Sequence, residues 1–347
     1  MAASPPHTGS GNGRLFSRSC VARLTQREAQ SIQTLENHMT ATTTPRAQTS
    51  YCSWEYERPA PCGIVVGVDG SSESIAALNT GAAIARSRRC ALHVVSVLPP
   101  FASNSLDLGV VASNAASSDE LRIELRTGAI RELMGFAGSG DNWTHEVALG
   151  RPAKVITRIA EERCADLIVV GKHEHSLMDR ISGGETTLQV MRLATVPVLA
   201  VSGDLDSVQS IVVATDFSVA SARAAKAALQ LLGRSGAMYI VYVEPPVELL
   251  PKGFAVSGDT RYPGDVVVWF RRFIESLAAP PGVTVEGIVL NGKPVAAVVE
   301  FAERIGASLV AAGSHGHSRM ERFLLGSVST GLVRNAQCAV LVAPSGD

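Results

Sequence analysis

The sequence has few aromatic residues (5%), almost no net charge (-1), no closely spaced cysteine pairs and no long apolar run. Each absence excludes something. A balanced charge leaves no basic footprint for nucleic acid, so a polyanion partner is not expected. The apolar runs are strand-length, such as Leu167–Val170, whereas a transmembrane helix needs about 20 residues. A membrane role is therefore not expected, and the missing apolar core of a secretory signal points to the cytoplasm. The six cysteines, Cys20, Cys52, Cys62, Cys90, Cys164 and Cys338, form no CxxC pair. Scattered in this way they read as reduced thiols and not as a metal or disulfide framework, with Cys164 and Cys338 at core-like positions.

What the chain does have is Val, Ala, Leu and Gly, the composition of small parallel sheets under Ala-rich helices. Its 347 residues suggest two domains. Residues 1–60 stand apart. They are rich in Ser, Thr, Pro, Gln and Arg, and through residue 50 carry two acids, Glu28 and Glu36, against five arginines. They read as a disordered tail or an upstream start ahead of Met39, with an Arg-rich targeting segment as the alternative.

The rest is a repeat. Ile64-Val65-Val66-Gly67-Val68-Asp69-Gly70-Ser71 is echoed by Ile211-Val212-Val213-Ala214-Thr215-Asp216-Phe217-Ser218. Ala-rich helical patterns follow at 74–86 and 220–232. Second apolar runs ending in Pro-Pro follow those, at 92–100 and 238–246. Less regular stretches, 101–118 and 247–264, lead to helices near 119–136 and 265–278. Gly150-Arg151-Pro152 and Gly292-Lys293-Pro294 then open further helices, since proline suits a first helical turn. Strands at 166–170 and 308–312 come next, and from there the copies align at an offset of 142. Each copy alternates strand and helix, so the expected fold is α/β. It comprises two tandem doubly wound, five-stranded parallel sheets, Rossmann-like, spanning 61–202 and 210–345. Ligands of such sheets sit at the carboxyl ends of the strands, at the switch in strand order.

The second copy has a glycine pattern at that place. Gly313 and Gly316 leave a strand end, and Gly326-Ser327-Val328-Ser329 opens a helix. Backbone amides of a first helical turn can cradle phosphates without a charged side chain, and Ser327 and Ser329 add hydroxyl donors. A plain glycine-rich turn before a Ser-capped helix is the other reading of the same residues.

The spacing Gly313-x2-Gly316-x9-Gly326-Ser327 resembles the nucleotide motif of the ATP-binding universal stress proteins. Val213-Ala214-Thr215-Asp216-Phe217-Ser218 is similar to that family's first strand. The resemblance covers residues 62–344 and implies an adenine nucleotide alpha hydrolase-like fold. It implies ATP as the ligand, leaving an accompanying Mg²⁺ open. By the resemblance, Asp216 meets the ribose or base, with Thr215 beside it in the motif, and Ala214 and Val243 line the adenine. Ala312 and Gly313 pass under the ribose, and Gly316, Gly326, Ser327 and Val328 hold the phosphates. It also implies a nucleotide-dependent stress-response switch, with non-binding scaffold and slow ATPase as the alternatives. The last strands, 198–201 and 340–342, are expected to pair the two halves within the chain, as they pair family dimers; a further homodimer is left open.

The first copy departs from the motif. Glu174 replaces the second glycine and Glu185 the serine. A carboxylate 4 Å from a phosphate costs about 1 kcal/mol even in water and more when buried, so no ATP, or far weaker ATP binding, is expected there, while Asp69 leaves an adenosine without phosphates open. Three further patterns carry less. Gly287–Pro294 nearly spells a P-loop, but Pro294 replaces the Mg²⁺-binding hydroxyl, and a strand followed by a Pro-started helix is expected instead. His173, His175, His315 and His317 form two His-x-His pairs; Glu174 lies between the first, no carboxylate or cysteine accompanies the second, and solvent or phosphate contact is the other reading of both. Arg319 and Arg322 read equally as phosphate partners or a solvated face. No nucleophile–base–acid set appears, so catalysis beyond slow ATP hydrolysis is not expected.

Overall fold

The structure, a computed structural model, describes residues 14–16, 63–99, 115–138, 140, 142–172, 186–205, 207–244, 263–316 and 325–346. The first half runs β2 (Ile64–Gly67), α1 (Ser72–Arg88), β3 (Leu92–Leu98), α2 (Ala115–Ala137), β4 (Trp143–Leu149), α3 (Pro152–Glu162), β5 (Leu167–Gly171), α4 (Thr186–Leu193) and β6 (Val198–Val201). The second repeats it: β7 (Ser210–Ala214), α5 (Val219–Leu229), β8 (Gly236–Glu244), α6 (Pro263–Leu277), β9 (Val283–Asn291), α7 (Pro294–Ile305), β10 (Leu309–Gly313), α8 (Ser327–Asn335) and β11 (Ala339–Ala343). Before residue 63 the described element is β1, Arg14–Phe16, antiparallel to β9 on its outer edge.

The strand orders β4-β3-β2-β5-β6 and β9-β8-β7-β10-β11 are the same order read from opposite ends. Within each half every pair is parallel, as buried Val- and Ile-rich strands joined by helices require. Where the halves meet, β6 lies antiparallel to β11, with Val198 opposite Val342, Leu199 opposite Leu341 and Ala200 opposite Val340. The strands expected at two edges thus lie side by side in one continuous sheet.

Alternation along the strands divides the core into two layers. Ile64, Val66, Leu199, Val213, Ile240 and Leu341 face α1, α2, α5 and α6. Val65, Ala200, Val212, Val310, Val340 and Val342 face α3, α4, α7 and α8. Both layers continue across the β6–β11 junction.

The helix starts follow from local chemistry. Ser71 and Ser218 cap α1 and α5, accepting the N–H groups of Ser74 and Ser221 at 3.2 and 3.3 Å; such caps contribute about 1 kcal/mol each. Pro152 and Pro294 open α3 and α7. The near P-loop is accordingly the end of β9 followed by the Pro-started α7. One expectation needs correction. Cys164 is not in the core: it is exposed, with φ 49, in the left-handed turn that ends α3. Cys338 is partly buried.

The halves differ beside their first strands. Phe217, at φ 62, packs among Tyr242, Trp269, Phe270 and Phe273, with ring centroids 5.1–5.9 Å apart. The first half has Gly70 at that place, with φ 91, and a Cβ there would lie 3.0 Å from the Arg126 guanidinium.

Candidate functional site

Chain order and sheet order fix the location of a site. From β7 the chain moves outward through β8 to β9, then crosses back to β10 on the other side of β7. The helices after β7 and after β10 therefore leave in opposite directions, and a crevice opens between the two strand ends. Ala214, which ends β7, pairs with Ala312 of β10. β2 and β5 make the equivalent crevice in the first half.

Asp216 stands on the β7 side. Its Oδ1 accepts the Ser218 N–H at 3.0 Å, a local turn that leads the chain into α5. Thr215 is buried; its hydroxyl accepts the Phe217 N–H at 2.9 Å and lies 3.0 Å from Ser221 Oγ. Thr215 thus shapes the turn with its side chain, while Asp216 is left at the crevice. Asp69 repeats the turn in the first half, accepting the Ser71 N–H at 3.0 Å and the Ser71 hydroxyl at 2.6 Å.

On the β10 side, each glycine has its own reason. A Cβ on Gly313 would fall 2.6 Å from the Ala220 Cβ, so glycine lets the start of α5 pack on the strand end. Gly171 meets Glu73 and Ser74 in the same way. A Cβ on Gly316 would fall 2.5 Å from Asp216 Oδ2. The glycine loop and the first-strand acid, 100 residues apart in sequence, are therefore in contact distance across the crevice.

The third wall is the start of α8. Gly326 is its N-cap and has no side chain to offer, so no side-chain bond caps the first turn. Gly326 N–H donates to Ser314 O at 2.7 Å, which draws the helix start onto the loop. Ser329 is buried and its hydroxyl donates to Gly313 O at 2.5 Å. Its one proton is thus committed to the loop, whereas Ser327 is exposed. Thr187 makes the same bond to Gly171 O, at 2.7 Å.

Ala214, Val243 and Val328 are each half-buried against the core layer under α7 and α8. They offer apolar contact on one side of the crevice. His315, from the His-x-His pattern, lies on the same loop. Its Nδ1 lies 3.0 Å from Ser314 Oγ, while its Nε2 is buried with no hydrogen-bond partner among the described residues. The His-x-His pattern drew attention to this residue as a metal ligand, and its neighbour in that pattern, His317, lies outside the described residues. So do His173, His175, Glu174, Glu185, Arg319 and Arg322. Among the described residues no group of three His, Cys, Asp or Glu could hold a metal ion, and no helix is long and apolar enough to cross a membrane.

The crevice thus has a carboxylate on one wall and first-turn amides without a side-chain cap on another. That set suits a ligand with a hydroxyl-rich part and an anionic part.

Comparison with known proteins bears on the whole chain. The universal stress protein family matches residues 63–202 and again 207–344. Universal stress protein MJ0531 of Methanocaldococcus jannaschii is 34% identical over 140 residues, 39% of this chain and 81% of that protein. Universal stress protein Rv2005c of Mycobacterium tuberculosis is 26% identical over 296 residues, 81% of this chain and 96% of its own length. The crystal structure of a universal stress protein from Archaeoglobus fulgidus shares the fold, with a TM-score of 0.61 at 20% identity. That match covers 82% of this chain and 97% of the other. Two successive matches that together take in most of the sequence settle the relationship: the chain belongs to the universal stress protein family, as a tandem of two of its domains.

Proposed function

We propose that the second domain binds ATP in the crevice between β7 and β10, and that the protein is a nucleotide-dependent switch in the stress response, acting in the cytoplasm. The single observation that carries this reading is the apposition of Gly316 and the Asp216 carboxylate, 2.5 Å from where a Cβ would be. In this reading Asp216 accepts hydrogen bonds from the sugar, and Ala214 and Val243 contact the base. Ala312 and Gly313 form the floor, and Gly316, Gly326, Ser327 and Val328 surround the phosphates. A triphosphate gains from the α8 amides and from the positive end of that helix, worth about 1 kcal/mol or more per anionic contact when partly buried. Ser329 supports the site through Gly313 instead of touching the ligand. Mg²⁺, if it accompanies the nucleotide, would be held by the phosphates and water.

The first domain shares the crevice but carries Glu174 and Glu185 at the phosphate positions of the motif, so it is proposed to leave ATP unbound. The two domains are proposed to remain paired through β6 and β11 in solution, within one chain. A calorimetric titration of the intact protein with ATP is expected to give one site per chain, lost in Gly326→Glu. Mass spectrometry of ligand released on denaturation should find an adenine nucleotide in the wild type and none in that variant. Two equivalent sites, or none, would overturn the reading. ADP formation with Mg²⁺ that disappears in Asp216→Ala would move it towards a slow ATPase.

A further inference from the structure

We propose that Lys172 makes the domain junction directional: its ammonium fits β6 to the end of α8 in the second domain, and a second copy of the second domain cannot take the first domain's place. The inference rests on the paired-domain reading above.

The strands alone do not decide which domains pair. Leu199 and Leu341 are equivalent residues of the repeat, and they face each other at the centre of the junction. β6 reads Val-Leu-Ala-Val and β11 Ala-Val-Leu-Val-Ala, so either strand is nearly complementary to itself. Exposed, such an edge pairs with any copy of itself. Discrimination needs a group outside the strands that one partner satisfies and the other does not.

Lys172 is such a group. It follows Gly171 at the end of β5, is 7% exposed, and reaches across the junction. Its Nζ donates to Ala336 O at 2.5 Å and to Cys338 O at 3.3 Å. Ala336 is the C-cap of α8, so the ammonium sits at the negative end of that helix. A buried ammonium is tolerated only where acceptors meet it, which makes this contact obligatory and not ornamental. The Cys338 thiol is raised mainly by its own burial, while Lys172 pulls it back down.

The second domain breaks the symmetry. Ser314 is the equivalent of Lys172, and the two backbones are held alike: Ser314 N–H donates to Ala343 O at 2.7 Å, Lys172 N–H to Val201 O at 2.6 Å. Ser314 Oγ turns to His315 Nδ1 and is too short to cross. Two second domains paired through β11 would therefore leave both α8 ends without an ammonium. The linker strengthens the choice in cis: Asp204 accepts from Asn79 Nδ2 at 3.1 Å, and Leu205 N–H donates to Thr80 Oγ1 at 3.3 Å.

The test uses the full chain, as wild type, Lys172→Met and Lys172→Arg, with hydrogen exchange by mass spectrometry and sedimentation velocity over a range of concentrations. In the Met variant, exchange over β6 and β11 is expected to rise by more than about tenfold, the scale of losing charged hydrogen bonds. Exchange over β2 and β7 should stay unchanged, and concentration-dependent self-association should appear. The Arg variant should follow the wild type. A Met variant equal to the wild type in both measurements overturns the proposal, as does exchange that rises equally over β2. Should the Met variant not fold, the wild type still answers: a slowly exchanging lysine ammonium signal in NMR, lost in Lys172→Arg, is expected, and its absence overturns the assignment. If β6 and β11 exchange freely in the wild type, the pairing reading itself falls, and the proposal with it.

Discussion

Gly316 and Asp216 meet so closely that the smallest possible side chain on the glycine would stand 2.5 Å from the Asp216 Oδ2. Gly316→Ala must therefore push the carboxylate or the loop aside. Neither residue is in the core, so folding stability should change by less than about 1 kcal/mol. Affinity for ATP, measured by calorimetry, should fall by at least about tenfold, because an acid displaced by an ångström no longer aligns with its partner. Unchanged affinity would remove the acid from the proposed site.

Phe217 offers a test of backbone against packing. It holds φ 62 while packing on four aromatic rings. Phe217→Ala should cost about 2 kcal/mol in urea unfolding, below the scale for a fully buried ring because Phe217 is partly buried. Phe217→Gly should cost less than Phe217→Ala, because glycine adopts positive φ without the penalty of roughly 1 kcal/mol that a Cβ brings. The first domain already has glycine at this place, Gly70, with φ 91.

His93 should make stability depend on pH. It is buried on β3, with Nδ1 2.7 Å from Thr144 Oγ1 and Nε2 3.5 Å from Glu146 Oε2. Burial foremost, then the Arg163 charge, hold its pKa below the ordinary 6.5, and Glu146 opposes them only in part. The unfolded chain therefore takes up this proton more readily than the folded one. Stability should be full above pH 6.5 and decline as pH falls through and below that value. In His93→Gln that part of the slope should vanish; an identical slope would assign it to other groups.

Cysteine labelling should separate the thiols by position. Cys164 is exposed, whereas burial raises the Cys90 and Cys338 thiols, with Asp166 adding to the effect at Cys90. The thiolate is the reactive form. Iodoacetamide at neutral pH should thus modify Cys164 well before Cys90 or Cys338, as read by peptide mass spectrometry.

Much of this was legible in the order of residues. The duplicated Val- and Ile-rich runs, each followed by an Ala-rich amphipathic stretch, dictate parallel strands under helices, because only that arrangement buries both faces of such strands. Ser71, Ser218, Pro152 and Pro294 mark helix starts by chemistry that acts within four residues. The glycine spacing of 313, 316 and 326 located the loop for the same local reason. Cys164 was expected in the core, while the left-handed turn that exposes it depends on how α3 ends.

Contacts between distant residues were decided by the tertiary structure. The sequence cannot say that Gly316 faces Asp216, that Ser329 donates to Gly313 O, or that Lys172 crosses to α8, since each pair is brought together by strand order and by the junction. Local chemistry set which residues could turn, cap or cradle. Packing of two sheets edge to edge set which of them meet, because side-chain reach is a few ångströms and only the completed fold brings the partners within it.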